Sequence, residues 1–277
     1  MILVTGATGN TGSALLRELH TRGAGPSRGL TRDAARTTFP GTAEAVEGDL
    51  TEPESLKPAL HGVRSLFLVS RLGPDREIIE AARTAGVEHV VLVSSITVQT
   101  HPHLRPADEN LAVELLLKES GMAWTILRPT QFASNAAMWA APIRNREAVR
   151  APYADTGLPT IHPADIASVA RVALTEPGHQ GRTYALTGPE QVTARQQVEA
   201  IAAAIGRDIP FEATSRREAR AQMAAVFGEE AADAVLDVTG GDVNDELLRV
   251  RDTVSQVTGS RARPFRQWAA ENADLFR

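Results

Sequence analysis

The sequence predicts an α/β fold in which a doubly wound parallel sheet carries a smaller, mainly helical C-terminal lobe. Three observations support this prediction. Short apolar runs alternate with helical stretches through residues 1–127, a glycine-rich turn follows the first run, and the alternation stops after Pro129. Strands separated by helices form βαβ units, which build parallel sheets covered by helices on both faces.

The strands of the first half are short apolar runs bounded by glycine or polar residues. They are predicted over residues 2–4, 28–30, 43–47, 65–69, 89–93 and 124–127. Apolar residues at helical spacing predict the helices between them, over residues 11–22, 76–85 and 106–120. Gly86 and Gly121 follow the last two of these helices, and glycine commonly marks a helix end.

The second half of the chain begins with a stretch, residues 130–158, that has no long periodic run. Beyond it the pattern predicts a helix over 164–175, a returning strand over 183–186, a helix over 193–205 and mostly helical structure after Thr214. The expected domains are a core over 1–155 to which 159–188 returns, and a smaller helical lobe over 189–277. Residues 130–158 are expected to line the substrate cleft.

Composition excludes several classes of function. The 277 residues include no cysteine, so disulfides, thiolate nucleophiles and iron–sulfur clusters are excluded. A net charge of −5 argues against a nucleic-acid partner, because phosphate-binding surfaces are basic. No apolar run approaches the roughly 20 residues that a membrane-spanning helix needs. We therefore expect a cytoplasmic protein that acts on a small molecule, either as a monomer or as a homodimer.

The most informative motif is the loop between the first strand and the first helix. It contains Gly6, Gly9 and Gly12, separated by small and polar residues that include Thr8, Asn10 and Thr11. In a dinucleotide site the first glycine permits a tight turn, the second lets the backbone approach the pyrophosphate, and the third lets the helix pack on the strand. The strand–turn–helix context therefore predicts a dinucleotide site, with the anion at the N-terminus of the helix.

The end of the second strand indicates which dinucleotide binds. An acidic residue there selects NAD through the ribose 2′-hydroxyl, whereas an arginine accommodates the 2′-phosphate of NADP. Arg32 follows this strand, directly after Thr31, and Asp33 is expected to begin the next segment. We therefore predict NADPH as the cofactor, with NADH possible. Two further strand ends are candidates for cofactor contacts: Asp49 with Leu50, and Val69 with Ser70 and Arg71.

These motifs resemble the NmrA-like atypical short-chain dehydrogenase/reductases. The same family pattern includes Val93-Ser94-Ser95, the stretch SGMAWTILRP over 120–129, DIA over 165–167 and YALTGP over 184–189. The resemblance covers residues 1 to about 210 and implies a Rossmann-type fold that binds NAD(P)H. It implies that Pro129 and Thr130 lie near the nicotinamide, and that Gln131, Phe132 and Asn135 line the substrate side.

The Tyr-x-x-x-Lys dyad of ordinary short-chain dehydrogenases does not occur in this sequence. The only tyrosines, Tyr153 and Tyr184, are each followed by glycine four positions later. Pro106 and Asn110 stand where the predicted helix would carry the dyad. A proton at the reaction centre must therefore come from another group, from water or from the substrate itself.

Ser95, at the end of the fifth strand, is the candidate hydroxyl for contacting a substrate oxygen; a serine that only caps the strand end is an equally good explanation. Hydride transfer to a quinone or to an aromatic, polyketide-like ketone suits such a site, because the product anion is delocalised. The sequence thus favours an NADPH-dependent reductase that works without the dyad. The alternative is a redox-sensing protein that binds NAD(P)H without turnover.

Weaker clusters leave their roles open. Phe132, Met138, Trp139 and Tyr153 form either a pocket for an aromatic substrate or the core of the smaller lobe. The His101–His103 pair with Asp108 lacks a third nearby His or Cys, so a solvent-exposed or substrate-contacting loop is favoured over a metal site. His162 is expected to pack at the start of a helix, and Arg216, Arg217 and Arg220 to form a solvated helix face.

Overall fold

The computed structural model describes residues 1–277, apart from the side chain of Phe227. The strands are β1 Ile2–Val4, β2 Ser27–Thr31, β3 Glu44–Glu47, β4 Ser65–Val69, β5 His89–Val93, β6 Ala123–Pro129, β7 Val149–Ala151, β8 Arg182–Leu186 and β9 Phe211–Ala213. Seven of them form one sheet in the order β3-β2-β1-β4-β5-β6-β8, and every neighbouring pair is parallel. The predicted doubly wound parallel sheet is therefore confirmed.

The α-helices are α1 Asn10–Thr21, α2 Lys57–Leu60, α3 Asp75–Thr84, α4 Thr97–Thr100, α5 Arg105–Glu119, α6 Ala140–Arg144, α7 Pro163–Thr175, α8 Ala194–Ile205, α9 Arg216–Phe227, α10 Glu229–Leu236, α11 Asp245–Leu248, α12 Thr253–Thr258 and α13 Phe265–Glu271. Short 3₁₀ turns lie at Pro53–Leu56, Ala133–Trp139 and Ala273–Leu275, and a π-helical turn lies at Asp237–Gly241. Among the described residues, no helix combines the length and the apolar character needed to cross a membrane.

The strand order reverses at β1, which pairs with β2 on one side and with β4 on the other. At its end, Val4 is in register with Gly29 of β2 and with Phe67 of β4. The hydroxyl of the next residue, Thr5, donates to the Phe67 carbonyl (3.0 Å) and accepts from the Val69 N–H (3.2 Å). Ligands of open parallel sheets bind beyond the carboxyl ends of the strands at such a reversal.

Hydrophobic layers cover both faces of the sheet. On one face α1 and α7 pack together, and Leu15 and Val169 are buried in the same cluster as Val91 of β5. On the other face Ile78 of α3 and Leu117 of α5 belong to the second cluster. With both faces covered, ligands can reach the sheet at the ends of its strands, where the polar residues described below are found.

The smaller lobe is mainly helical, and it also contains a two-stranded sheet that the sequence did not predict. β7 lies inside the 130–158 stretch and pairs in parallel with β9, so this stretch is tied to the lobe. Strands of three residues are too short for alternation to reveal them. The lobe has its own core, which includes Val149, Ile201, Phe265, Trp268 and Phe276.

Candidate active site

The glycine loop has the geometry that its motif predicts. Gly6 has a left-handed backbone (φ 58°), and the Gly9 N–H donates to the Gly6 carbonyl (2.9 Å) to close the turn. At Gly12 an added Cβ would lie 2.2 Å from the Gly6 carbonyl oxygen, closer than any real contact allows. Only glycine therefore lets α1 start this close to the end of β1.

The N-terminus of α1 is open toward the crevice. Its N-cap, Gly9, provides no side-chain acceptor, and the first turn contains no acidic residue. Thr8, Gly9 and Asn10 are exposed, whereas Thr11 and Gly12 are buried beneath them. The backbone N–H groups of this first turn can therefore donate to an anion such as a pyrophosphate.

Arg32 stands free at the end of β2. Its exposed side chain forms no ion pair or hydrogen bond with any other residue that the structure describes. Thr31 is engaged locally, since its hydroxyl lies 3.1 Å from that of Thr37 and accepts from the Asp33 N–H (3.3 Å). Asp33 in turn accepts from the Arg36 N–H (3.1 Å), as expected of a residue that begins the next segment. Arg32 is therefore a charged side chain available to a ligand at this strand end.

The loops after β3 and β4 touch each other. A Cβ at Gly73 would lie 2.0 Å from the carbonyl oxygen of Leu50, so the two loops form one wall. Hydrogen bonds from the N–H (2.9 Å) and hydroxyl (2.8 Å) of Thr51 to Asp49 lower the pKa of this carboxyl, which is therefore ionised at neutral pH. Its position next to Leu50 agrees with a wall around the adenosine part of a dinucleotide.

Arg71 holds an unusual conformation at the end of β4. Its φ is 65°, a left-handed value that non-glycine residues rarely adopt and that is often found at functional sites. Its N–H donates to Asp75 Oδ2 (2.9 Å), and its guanidinium pairs with Glu109 of α5 (2.6 Å). The other oxygen of Asp75 is buried and has no partner among the described residues, and burial raises the pKa of this carboxyl.

The two serines that follow β5 have different partners. Ser94 is buried and donates to Glu114 Oε1 (2.7 Å), so its hydroxyl proton is not available to a substrate. The Ser95 oxygen accepts from the Thr97 N–H (3.2 Å) and from the Thr97 hydroxyl (2.8 Å). Those bonds fix the turn between β5 and α4 and also leave the Ser95 proton free to donate. Ser95 therefore has a local structural role in this turn and also keeps the proton that a catalytic role requires.

At the positions where the dyad would lie, Pro106 and Asn110 form structural hydrogen bonds. Asn110 Nδ2 donates to the Pro106 carbonyl (2.7 Å), one turn earlier in α5. Asn110 Oδ1 lies 2.9 Å from the Ser70 hydroxyl, which joins α5 to the end of β4. Asn110 is buried, and an amide does not titrate near neutral pH. This pair therefore fixes α5 against the sheet and supplies no acid.

A buried ion pair beside Ser94 was not anticipated from the sequence. Glu114 is fully buried, and Arg128 of β6 binds both of its oxygens, with Nε at 2.8 Å and Nη2 at 2.6 Å. The buried face of α5 includes Val113, Glu114 and Leu117 at helical spacing. A glutamate among the buried residues of a helix needs a partner for its charge, and Glu114 on this face was the signal that could have revealed the pair.

β5 and β6 bring Ser95 and Thr130 to the same edge. Backbone pairing continues past β5, since the Ile96 N–H donates to the carbonyl of Pro129, the last residue of β6 (3.0 Å). Thr130 is only 4% exposed, and within the described chain its hydroxyl oxygen has no hydrogen-bond partner. A buried polar group without a partner is costly, so a ligand group that bonds it would be stabilised here. The carboxamide of a nicotinamide fits this requirement.

The substrate-side candidates divide into packed and exposed residues. Phe132 packs against the main core and Trp139 against the core of the smaller lobe, which favours the packing interpretation for both. Gln131 is half-buried, its carbonyl bonded to the Ile161 N–H (2.8 Å). Asn135 is exposed, and Met138 is 63% exposed on the same 3₁₀ turn. Asn135 and Met138 therefore remain the residues with surface to offer a ligand.

Tyr153 is held by the smaller lobe. Its φ is 50°, its ring leaves no room for a Cβ at Gly240 (2.2 Å), and its hydroxyl accepts from Arg216 Nη1 (3.1 Å). Arg216 also pairs with Asp237 (2.7 Å). Arg216 belongs to the expected solvated face only in part, because it is half-buried and pairs with a carboxylate that lies twenty-one positions later in the chain.

Two of the singled-out histidines, His101 and His162, serve structural roles. His101 is fully buried and its Nε2 donates to the Asp242 carbonyl (2.5 Å), so the solvent-loop interpretation was wrong for this residue, although His103 is exposed. His162 caps α7 by accepting from the Ala164 N–H (3.0 Å), as expected, and burial lowers its pKa. Within the described residues no three His, Asp or Glu side chains gather as metal ligands.

Comparison with known proteins agrees with this geometry. The sequence profile of a family described as NAD(P)H-binding matches residues 6–177. The (4-alkanoyl-5-oxo-2,5-dihydrofuran-3-yl)methyl phosphate reductase of Streptomyces griseus is 39% identical, covering 100% of this chain and 99% of the relative. The NAD(P)H azoreductase of Xenophilus azovorans is 36% identical with the same coverage. The crystal structure of an NADPH-dependent quinone oxidoreductase from Escherichia coli superposes with a TM-score of 0.78 at 26% identity, covering all of both chains.

Proposed function

Because the chain belongs to the NAD(P)H-binding family, among the NmrA-like atypical short-chain dehydrogenase/reductases, we propose that it reduces a conjugated acceptor such as a quinone or an aromatic ketone with NADPH. It is an NAD(P)H-dependent oxidoreductase. The observation that carries the choice of reaction is the edge shared by β5 and β6, where Ser95 has a proton free to donate and Thr130 has a buried hydroxyl without a partner among the described residues.

The cofactor is proposed to lie across the strand ends in two halves. In the adenine half, beyond β1 to β4, the first turn of α1 donates to the pyrophosphate and Arg32 binds the 2′-phosphate. In the nicotinamide half, beyond β5, β6 and β8, Thr130 bonds the carboxamide. Bound NADPH supplies the hydride, and the residues of the chain orient the reactants and exclude water.

The acceptor class follows from what the chain offers as an acid. Ser95 is the candidate donor to the acceptor oxygen, and such a bond contributes about 2–4 kcal/mol when negative charge develops there. Unassisted serine is a weak acid, so the acceptor must tolerate a transient anion. The names of the relatives describe reductases of a quinone, an azo compound and an unsaturated lactone, and each of these delocalises an added electron pair.

The domain roles follow the same division. We infer that residues 1–155 and 159–188 carry the cofactor, and that the acceptor lies between the 130–158 stretch and the lobe over 189–277. The exposed Asn135 and Met138 are the residues proposed to meet it first. An aromatic acceptor would bury apolar surface against Met138, whose side chain adapts to flat ligands of different shape.

The test is NADPH oxidation by the purified protein against a panel of quinones, an azo dye and polycyclic aromatic ketones, with NADH measured alongside. We expect saturable oxidation with at least one acceptor and preference for NADPH over NADH. Tight NADPH binding without oxidation across the panel would overturn the proposal. It would favour the alternative in which the protein senses the NADPH/NADP⁺ ratio without turnover.

A further inference from the structure

Residues 242–251, which contain α11, run from the end of β5 to the end of β8. Leu247 packs against Ile96, the residue after Ser95. At the other end the Arg251 N–H donates to Thr187 Oγ1 (2.9 Å), just beyond β8. Segment 242–251 therefore lies over the nicotinamide half of the strand edge, where the acceptor is expected.

Three consecutive residues at the end of α4 hold this segment by hydrogen bonds. The pairs are Gln99 with Glu246 (3.0 Å), Thr100 with Asn244 (2.9 Å) and His101 with Asp242 (2.5 Å). The Thr100 and His101 bonds use backbone carbonyls, one on each side of the contact. Of these three bonds, only the one between Gln99 and Glu246 joins two side chains, so it is the one that depends on the identity of both residues.

Gln99 also has a partner on the opposite side. Its Oε1 accepts from Arg128 Nη1 (3.4 Å), and the other nitrogens of that guanidinium bind the buried Glu114. We propose that Gln99 is a positioning residue, which fixes segment 242–251 over the acceptor by joining Glu246 to the buried Arg128–Glu114 pair. This proposal rests on the function proposed above.

Burial shows which side of the contact is fixed: the Arg128–Glu114 pair holds segment 242–251 in place, and not the reverse. Separating Arg128 from Glu114 would leave an uncompensated charge in the interior, so this pair is an immobile anchor. Glu246 is only half-buried and is compensated within its own segment by Arg251. The neutral amide of Gln99 suits a joint between two ion pairs, because it accepts from the arginine and donates to the carboxylate without adding charge.

The experiment exchanges the hydrogen-bond donor and acceptor between positions 99 and 246. Gln99→Glu places two carboxylates against each other and should raise the acceptor KM about fivefold, the loss of one hydrogen bond. Glu246→Gln should have a smaller effect in the same direction. In the double variant the amide introduced at position 246 can donate to the carboxylate introduced at position 99, which still accepts from Arg128. The KM should then return to within about twofold of wild type. NADPH affinity should stay unchanged in all three.

Gln256→Glu is the matched control, because it makes the same chemical change at an exposed position outside the segment. Hydrogen exchange of residues 242–251 supplies a readout independent of turnover: exchange should be faster in Gln99→Glu and restored in the double variant. The proposal is overturned if KM and exchange in Gln99→Glu match wild type, or if the double variant shows the sum of the single effects. A wild-type protein that oxidises no NADPH refutes the proposed function instead, and the exchange result still decides on Gln99.

Discussion

The two halves of the strand edge are built in different ways. The adenine half relies on the backbone: a loop closed by one hydrogen bond, an open helix N-terminus and the free side chain of Arg32. The nicotinamide half relies on side chains that satisfy one another across long stretches of sequence, as Gln99 and Glu246 do over 147 positions. Binding a phosphate needs a local shape, whereas positioning an acceptor needs several segments held together.

One buried or partly buried carboxylate in each half allows this difference in construction to be measured by mutation. Glu114 is fully buried and both of its oxygens are bonded by Arg128. Asp75 is partly buried, and one of its oxygens has no partner among the described residues. Removing the charge of the first should therefore be costly, and removing the charge of the second should be tolerated or favourable.

The largest expected effect is on Glu114. Glu114→Ala leaves Arg128 buried without its partner, so the free energy of unfolding should fall by about 3–5 kcal/mol. Urea denaturation measures this loss. Glu119→Ala, an exposed glutamate on the same helix, should change stability by less than about 0.5 kcal/mol. Equal effects of the two substitutions would show that the buried pair does not anchor the nicotinamide half.

Next in size is Ser95→Ala, which removes the proposed donor to the acceptor oxygen. Turnover should fall about 30-fold or more, equivalent to roughly 2 kcal/mol of transition-state stabilisation, while NADPH affinity stays unchanged. Ser95→Thr keeps a hydroxyl and should recover much of the rate. If Ser95→Ala leaves kcat intact, Ser95 has only a structural role in the turn before α4 and the proton comes from solvent or substrate.

Arg32→Ala tests the adenine half. Loss of a charge-assisted bond to the 2′-phosphate should weaken NADPH binding about tenfold or more and leave NADH binding nearly unchanged. Fluorescence titration with both cofactors measures the ratio. Arg36→Ala is the control, because that neighbouring arginine pairs loosely with Asp33 (3.9 Å). An equal loss for both cofactors would contradict the assignment of Arg32.

Asp75→Asn should have the smallest effect of the four substitutions, and its effect on the free energy of unfolding should depend on pH. Burial raises the folded-state pKa of Asp75 above its unfolded value, so wild type loses stability as pH rises through the folded-state pKa. Asparagine carries no charge and can still accept from the Arg71 N–H. The variant should therefore be slightly more stable than wild type at neutral pH and equal to it below the unfolded pKa. Urea unfolding at both pH values checks this, and a variant less stable at neutral pH would show that the carboxylate is stabilising.

The cofactor loop could be predicted from sequence because its requirements are local. Gly12 must lack a Cβ, since one would clash with Gly6 six positions earlier, and the helix begins within the same stretch. The free Arg32 was likewise visible as an arginine directly after a strand. In each case the residues that matter are near neighbours in the chain, so spacing alone expresses the constraint.

The packing of the substrate side could not be predicted in the same way. Phe132 and Trp139 looked like candidates for an aromatic pocket, yet each packs into a different core. Tyr153 depends on glycines of the π-helical turn more than eighty positions later. A list of aromatic residues does not reveal which of them face solvent, because that depends on which elements fold against them.

The sequence by itself determined the parallel sheet and the glycine loop, and it singled out Arg32 as the candidate to bind a 2′-phosphate, because each follows from short-range sterics or charge. Only the tertiary structure decided that Ser94 donates to a buried Glu114 while Ser95 keeps a free proton, that Thr130 lacks a partner, and that Gln99 connects the core to segment 242–251. These assignments depend on which polar side chains become hydrogen-bond partners when folding buries them. The choice of partners is set by contacts between distant parts of the chain. There, burying a polar group without a partner raises the free energy by more than a typical hydrogen bond lowers it.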